Sequence, residues 1–171
     1  LVLGGGNTAM DCCRTAKRLG GQDVKIIVRS EFEKMKASPW EKDDALAEDV
    51  EFFNCMVPKD FVHEGGKLTG MRFEKVKVVY DNNGKRSLVP TKEDAVFFEC
   101  DDVLIAIGQE NAFPWIERDL GIEFDQWNMP VVDKTTFQST VENVFFGGDS
   151  AFGPENIITA VAHGHQAAIS I

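Results

Sequence analysis

A glycine pattern, Gly4-x-Gly6-x-x-Ala9, lies between the apolar run Leu1–Leu3 and a stretch of helical periodicity, and no other feature constrains the fold as strongly. In such a pattern the first glycine permits a tight turn and the second lets the backbone approach a pyrophosphate. The third position, here Ala, lets helix and strand pack closely. The helix that opens there offers free N–H groups and a positive dipole end to an anion. Ala9, Cys12, Cys13, Ala16 and Leu19 recur on one helical face, and Gly20-Gly21 stops the helix. Val24–Val28 follows as a short buried strand. Strand, helix and strand in this order form a βαβ unit, which implies a parallel sheet with a right-handed crossover. The pattern reads as a dinucleotide-binding loop, with a plain glycine turn as the alternative.

The end of the second strand bears on which nucleotide. An acidic residue about 20 positions past the glycines would bind the ribose hydroxyls of NAD. This chain has Val28-Arg29-Ser30 there, a cation and a small hydroxyl. Arg29 suits a 2′-phosphate, Ser30 can donate to it, and Lys34 and Lys36 are further candidates. NADP(H) is therefore favoured, with NAD(H) as the alternative because Glu31 is close enough to reach a ribose.

Further along, Ser38-Pro39-Trp40-Glu41 predicts a helix start with a capping box, running to about Asp49. Glu51–Cys55 returns as a strand. From Lys67 to Pro90 the pattern is extended, and Asn83-Gly84 signals a hairpin, so an antiparallel meander is expected on the parallel sheet. Asp102–Gly108 reads as a continuous apolar strand buried on both faces. Pro114–Glu117 predicts a short helix, Asn143–Asp149 a last buried strand, and Pro154–Ile171 a final helix. Both ends of the chain fall inside such elements, since it opens on Leu1 within an apolar run and stops at Ile171 within a helix. A piece of a longer protein is expected.

Gly147-Gly148-Asp149 is a second glycine site, at the end of the last expected strand. An Asp there can bind a ribityl hydroxyl or a pyrophosphate-bound water of a flavin nucleotide; an ordinary loop before a helix is the alternative. Ala160, Gly164 and Ala168 make a small-residue stripe in the helix that follows. His163 and His165 lie on different faces, which suits packing or solvation better than a metal pair. Acidic clusters at Glu41–Asp44 and Glu99–Asp102 read as solvated faces or loop starts. Cys12, Cys13, Cys55 and Cys100 show no ligand-like spacing, so reduced, packed cysteines and no metal site are expected, with the cytoplasm as compartment. Lys and Arg number 18 against 28 Asp and Glu, a formal charge of −10 that argues against nucleic acid or an anionic membrane surface as partner. No apolar run has the length of a membrane span.

The motifs in order resemble the NADPH domain of the glutamate synthase small-subunit family: Gly4–Asp11, Val28-Arg29-Ser30, Met35-Lys36-Ala37, Glu41, Ala106-Ile107-Gly108-Gln109 and Phe146–Asp149. The resemblance covers essentially the whole chain. It implies an α/β fold with a Rossmann-like parallel sheet and an antiparallel β-meander insertion, plus a partial second, FAD-type Rossmann-like domain. Residues 1–108 would be the NAD(P)H-binding domain and 109–171 the C-terminal segment of an incomplete FAD-binding domain. Gly4, Gly6, Asn7, Thr8 and Ala9 would form the NADPH pyrophosphate loop, with Arg29 on the 2′-phosphate. Ile107, Gly108 and Gln109 would lie near the nicotinamide, and Gly148, Asp149 and Ile158 would contact FAD. Many members of that family carry a second Arg where this chain has Ser30, and Pro where it has Lys36.

The function implied is hydride transfer between NADPH and FAD, with electrons passing to iron–sulfur centres that lie outside this chain, in an upstream segment or an electron-accepting subunit. No acid–base residue is nominated, because hydride transfer to a flavin requires none, and the fragment alone is expected to be inactive. Disulfide-reductase relatives use a redox cysteine pair, and none of the four cysteines is suitably spaced. Two alternatives are a nucleotide-sensing or partner-binding Rossmann module without catalysis, and a flavin-free NAD(P)-dependent dehydrogenase. The strand near Val144–Phe146 is expected to find another neighbour, to pair with a second copy as a homodimer, or to stay exposed.

Overall fold

Alternation along two short strands organises the first half of the molecule. The computed structural model describes residues 1–171, which divide into two compact units, Leu1–Gly108 and Gln109–Ile171. In the first unit, strands β1 (Val2–Leu3), β2 (Lys25–Ile27), β3 (Glu51–Phe53) and β8 (Leu104–Ile105) form a parallel sheet in the order β3-β2-β1-β8. Val2 is level with Ile26 and Leu104, and Leu3 with Ile27 and Ile105. Successive strand residues point to opposite faces, so Val2 and Ile26 bury on one side while Leu3 and Ile27 bury on the other.

Helices α1 (Asn7–Arg18) and α2 (Pro39–Ala47) accompany the first of these faces, where Ala9, Met10, Cys13 and Ala45 are fully buried with Val2 and Ile26. Leu19 was expected on the buried stripe of α1; it caps the helix at 84% exposure, and Met10 takes the buried position instead. Glu41 and Asp44, from the cluster expected as a solvated face or loop start, join Glu48 in clasping the two helices together, with Asp44 still exposed. Arg14 of α1 makes ion pairs with Glu41, Asp44 and Glu48 at 2.8, 2.9 and 2.9 Å. The capping box expected at Ser38 also differs. The Ser38 hydroxyl makes no cap bond and instead accepts from Asn7 Nδ2, while Glu41 is held by Arg14.

Leu3 and Ile27 are covered by an antiparallel sheet of β4 (Met56–Glu64), β5 (Lys67–Tyr80), β6 (Arg86–Pro90) and β7 (Val96–Glu99). The long β5 pairs with β4 along one edge, and with β7 and then β6 along the other. Asp81 Oδ1 accepts from the N–H groups of Asn83 and Lys85 and closes the hairpin expected at Asn83-Gly84. Met71, Phe73 and Phe98 supply the buried side chains of this layer. The meander is wider than the sequence suggests, since β4 lies before Lys67 and contains Pro58.

Three expectations for strands and helices fail. The run Asp102–Gly108 is not buried on both faces: β8 is the outer strand, bonded to β1 alone, and Leu104, Ile105 and Ile107 are exposed. Pro114–Glu117 forms a turn rather than a helix. Asn143–Asp149 forms no strand, because its one ladder contact is an isolated bridge between Gln138 and Phe145. Val144–Phe146 is half-buried, with Phe146 N–H donating to the Phe137 carbonyl and its ring 6.2 Å from that of Phe113. The segment thus takes its neighbour from Phe137–Ser139, one of the outcomes expected for it. The final helix also starts later. A four-residue helix α3 (Asp149–Phe152) precedes α4 (Ile157–Ser170), and Asn156 caps α4 by accepting from Thr159 N–H at 2.9 Å. No helix is long and apolar enough to cross a membrane.

Candidate nucleotide-binding site

Each glycine of the Gly4–Gly6 turn meets a different constraint. Gly4 sits at φ +142°, and a Cβ placed on it would lie 2.2 Å from the Ala106 carbonyl oxygen. Ala106 cannot withdraw freely, because its N–H donates to the Leu3 carbonyl at 2.8 Å. Gly5 accepts from Ala37 N–H at 2.9 Å, which ties the turn to the segment leading into α2. Gly6 is the N-cap of α1 at φ −102°, a conformation open to any residue, and a Cβ there would meet nothing within 4 Å. The protein's own packing does not demand glycine at this position. Ala9 is fully buried where α1 lies along β1, which accounts for a small third residue.

The N-terminus of α1 is free to take an anion. Ala9 and Met10 N–H groups both donate to the Gly6 carbonyl, whereas those of Asn7 and Thr8 donate to no protein acceptor. The Asn7 side chain is engaged: its Oδ1 accepts from Ser38 N–H at 2.8 Å, and its Nδ2 donates to Ser38 Oγ at 3.3 Å. This link between the first turn of α1 and the start of α2 has no local sequence signal. Thr8 is exposed.

At the end of β2, Arg29 is exposed and Ser30 half-buried. The Ser30 carbonyl accepts from Asn54 Nδ2 at 3.0 Å and from Cys55 N–H at 3.3 Å. The Arg29 carbonyl accepts from Arg86 Nη2 at 3.0 Å, a contact across 57 positions of sequence. Glu31, Lys34 and Lys36 are all exposed around this turn. Ile107 is 74% exposed, and Gly108 adopts φ +120° with open space around it.

In the second unit, Gly148 is buried at φ +63°, and a Cβ on it would lie 3.1 Å from that of Ala160. The stripe residue Ala160 thus admits the Gly147-Gly148 turn. Gly148 N–H donates to His163 Nδ1 at 3.0 Å, and the imidazole packs against the rings of Phe137 and Phe152 at 4.9 and 4.7 Å. Asp149 is exposed, with Oδ1 accepting from Glu155 N–H at 3.2 Å, and Ile158 is 81% exposed on α4. Gln109, which opens this unit, is also exposed. A surface hollow of about 470 Å³ near Phe113, Arg118 and Asn128 gathers none of the expected site residues.

Residues 1–164 match the model of the pyridine nucleotide-disulphide oxidoreductase family. The chain belongs to that family. Within this family of FAD-dependent pyridine-nucleotide oxidoreductases, it is 38% identical over 171 residues to the NADP(+)-dependent formate dehydrogenase subunit beta of Moorella thermoacetica, covering 99% of this chain and 24% of that protein. It is 37% identical over 179 residues to the glutamate synthase [NADPH] small chain of Halomonas elongata, covering 98% and 36%. The resemblance carried by the motifs is thus met across the chain, which spans about a quarter to a third of these relatives' length. The thioredoxin reductase structure of Lactococcus lactis superposes with a TM-score of 0.77 at 23% identity, over 98% of this chain and 50% of that one. The shared fold is that of a thioredoxin reductase-like oxidoreductase.

The cysteines of this family member are all free. Cys13 lies fully buried on α1, and its Sγ donates to the Met10 carbonyl at 3.1 Å. Burial pushes its thiol up to about 11. Cys13 should therefore resist alkylation under native conditions near pH 8, while unfolded chain reacts readily. Mass spectrometry after a timed iodoacetamide pulse checks this, and rapid native labelling of Cys13 would refute it. The same shift has a stability consequence. Between pH 9 and about 11 the unfolded chain loses this proton before the folded one, so stability falls as pH rises through that window.

Proposed function

We propose that this chain is the NADP(H)-binding portion of a flavin-dependent oxidoreductase that passes hydride between NADPH and FAD. The observation that carries this reading is Gly6. Glycine there serves no packing need of the protein, yet it opens a helix N-terminus whose Asn7 and Thr8 N–H groups have no protein acceptor. A pyrophosphate needs both features, a close backbone and unsatisfied donors. Gly4 and Ala9 hold the turn against β8 and β1, and Asn7 fastens it to Ser38. Arg29, exposed at the end of β2, would take the 2′-phosphate, while Ser30 would border it.

Ile107, Gly108 and Gln109 are assigned to the nicotinamide side, and Gly148, Asp149 and Ile158 to FAD, with residues 1–108 and 109–171 as the nucleotide and flavin portions. Asp149 fits a polar flavin contact because it is exposed at a glycine turn. When bound, the cofactors supply the hydride chemistry, and the protein's part is to hold and orient them. Electrons would pass on to iron–sulfur centres of an electron-accepting subunit or an upstream segment. The names of the relatives, subunit beta and small chain, support a multi-subunit setting. A cytoplasmic location is supported by the free cysteines.

Calorimetric titration of the chain with NADPH and NADH tests the nucleotide reading. NADPH is expected to bind with a Kd on the order of micromolar and NADH about tenfold more weakly. Absence of binding by either would defeat the proposal, and tighter binding of NADH would defeat the role of Arg29.

A further inference from the structure

We propose that Arg86, carried on the β5–β6 hairpin, is a second guanidinium of the nucleotide site and acts beside Arg29 in recognising the 2′-phosphate of NADP(H). This rests on the NADP(H) reading above and adds to it a specificity-determining residue from another layer of the fold.

Position is the first ground. In a βαβ nucleotide fold the adenosine ribose lies beyond the carboxyl end of the second strand. Arg86 Nη2 donates to the Arg29 carbonyl at 3.0 Å, which brings its guanidinium to that strand end. The single bond leaves its other N–H groups for a ligand. The residue that follows Arg29 in sequence is Ser30, and the turn itself carries the exposed Lys34 and Lys36, so Arg86 adds from the hairpin a guanidinium that the turn lacks beyond Arg29.

The second ground is that the placement is built. Arg86 pairs with Tyr80 at the end of a ladder that begins at Val76 and Pro90. The base of that ladder is fastened to the β2 end through the chain after β3. Val76 N–H donates to the Cys55 carbonyl at 2.8 Å, and Cys55 N–H donates to the Ser30 carbonyl at 3.3 Å. Arg86 is therefore delivered by two strands with fixed register rather than by a free loop.

Charge is the third ground. Arg14, Arg18 and Arg72 are each matched to a carboxylate, whereas Arg29 and Arg86 have none within ion-pair distance. The nearest hairpin carboxylate in sequence, Asp81, has Oδ1 turned to the N–H groups of its own turn. Glu31 shares the neighbourhood. Burial and then Glu31 raise the Cys55 thiol, while Arg86 pulls it the other way. An unpaired Arg86 held at the Arg29 backbone, together with the unpaired and exposed Arg29, suits a dianionic phosphate better than a ribose hydroxyl.

The test compares wild type, Arg86→Ala and Arg86→Lys by calorimetric titration with NADPH and with NADH, alongside thermal melting. Arg86→Ala is expected to weaken NADPH about tenfold or more while leaving NADH within about twofold. Arg86→Lys, which keeps the charge, is expected to recover much of the NADPH affinity. Arg86 is exposed, so the melting temperature should hold. Equal weakening of both nucleotides would assign Arg86 a structural role and overturn the proposal. Unchanged NADPH affinity in Arg86→Ala, with a loss in Arg29→Ala, would overturn it while leaving the NADP(H) reading intact. A wild-type chain with no preference for NADPH would remove both.

Discussion

Replacing Gly4 by alanine is expected to destabilise the first unit by on the order of 2–6 kcal/mol, enough to cost most of a typical domain's stability. The new Cβ would lie 2.2 Å from the Ala106 carbonyl oxygen, a distance no relaxed pair of atoms adopts. Relief requires β8 to move from β1, yet Ala106 and Leu104 N–H groups are bonded to the Leu3 and Leu1 carbonyls at 2.8 Å each. Backbone strain adds to the clash, since φ +142° lies outside the regions open to L side chains. Thermal or urea denaturation measures the effect. A Gly4→Ala chain that melts within a degree or two of wild type would show that the turn tolerates what its geometry forbids.

Gly6→Ala should behave in the opposite way. Its φ of −102° suits alanine, and the added Cβ meets no protein atom within 4 Å. The loss of an N-cap glycine costs at most about 1 kcal/mol. NADPH binding is expected to fall about a hundredfold, because the methyl group would hold the pyrophosphate away from the Asn7 and Thr8 N–H groups. Two charge-assisted hydrogen bonds lost at about 1.5–3 kcal/mol each make a hundredfold loss the lower end of the expected range. The two substitutions, two residues apart, separate folding from binding: one should melt early, the other should melt normally and bind poorly. Wild-type NADPH affinity in Gly6→Ala would remove the main support for a nucleotide at this turn.

Much of the first unit was legible because its signals are local. Glycine spacing, the stripe of α1 and the Gly20-Gly21 stop each depend on residues within a turn or two. The helix at Pro39 and the hairpin at Asn83-Gly84 depend on similarly short spans. Capping at Ser38 departs from the local pattern for a physical reason: a serine hydroxyl bonds whichever donor arrives, and Asn7 arrives from another helix. The apolar run at Val103–Ile107 reports a strand suited to burial but not its place in the sheet, and an outer place leaves Leu104 and Ile105 exposed. Val144–Phe146 has the composition of a strand, but a ladder needs a neighbour in register over several residues, and Phe137–Ser139 supplies only one bridge, at Gln138 and Phe145.

The candidate site divides along the same line. By itself the sequence determined the Gly4–Gly6 turn, the helix that follows it and the place of Arg29 after β2, since chain connectivity alone brings these three together. Tertiary structure alone decided that Gly4 is required by Ala106 and that Gly6 is not required by any protein neighbour. It also fastened Asn7 to Ser38, set Arg14 among three carboxylates and laid Arg86 against Arg29. Those contacts join residues 27 to 102 positions apart, and no pattern of period two or 3.6 reaches so far. Sheet register and helix packing carry that information, and they exist only once the chain has folded.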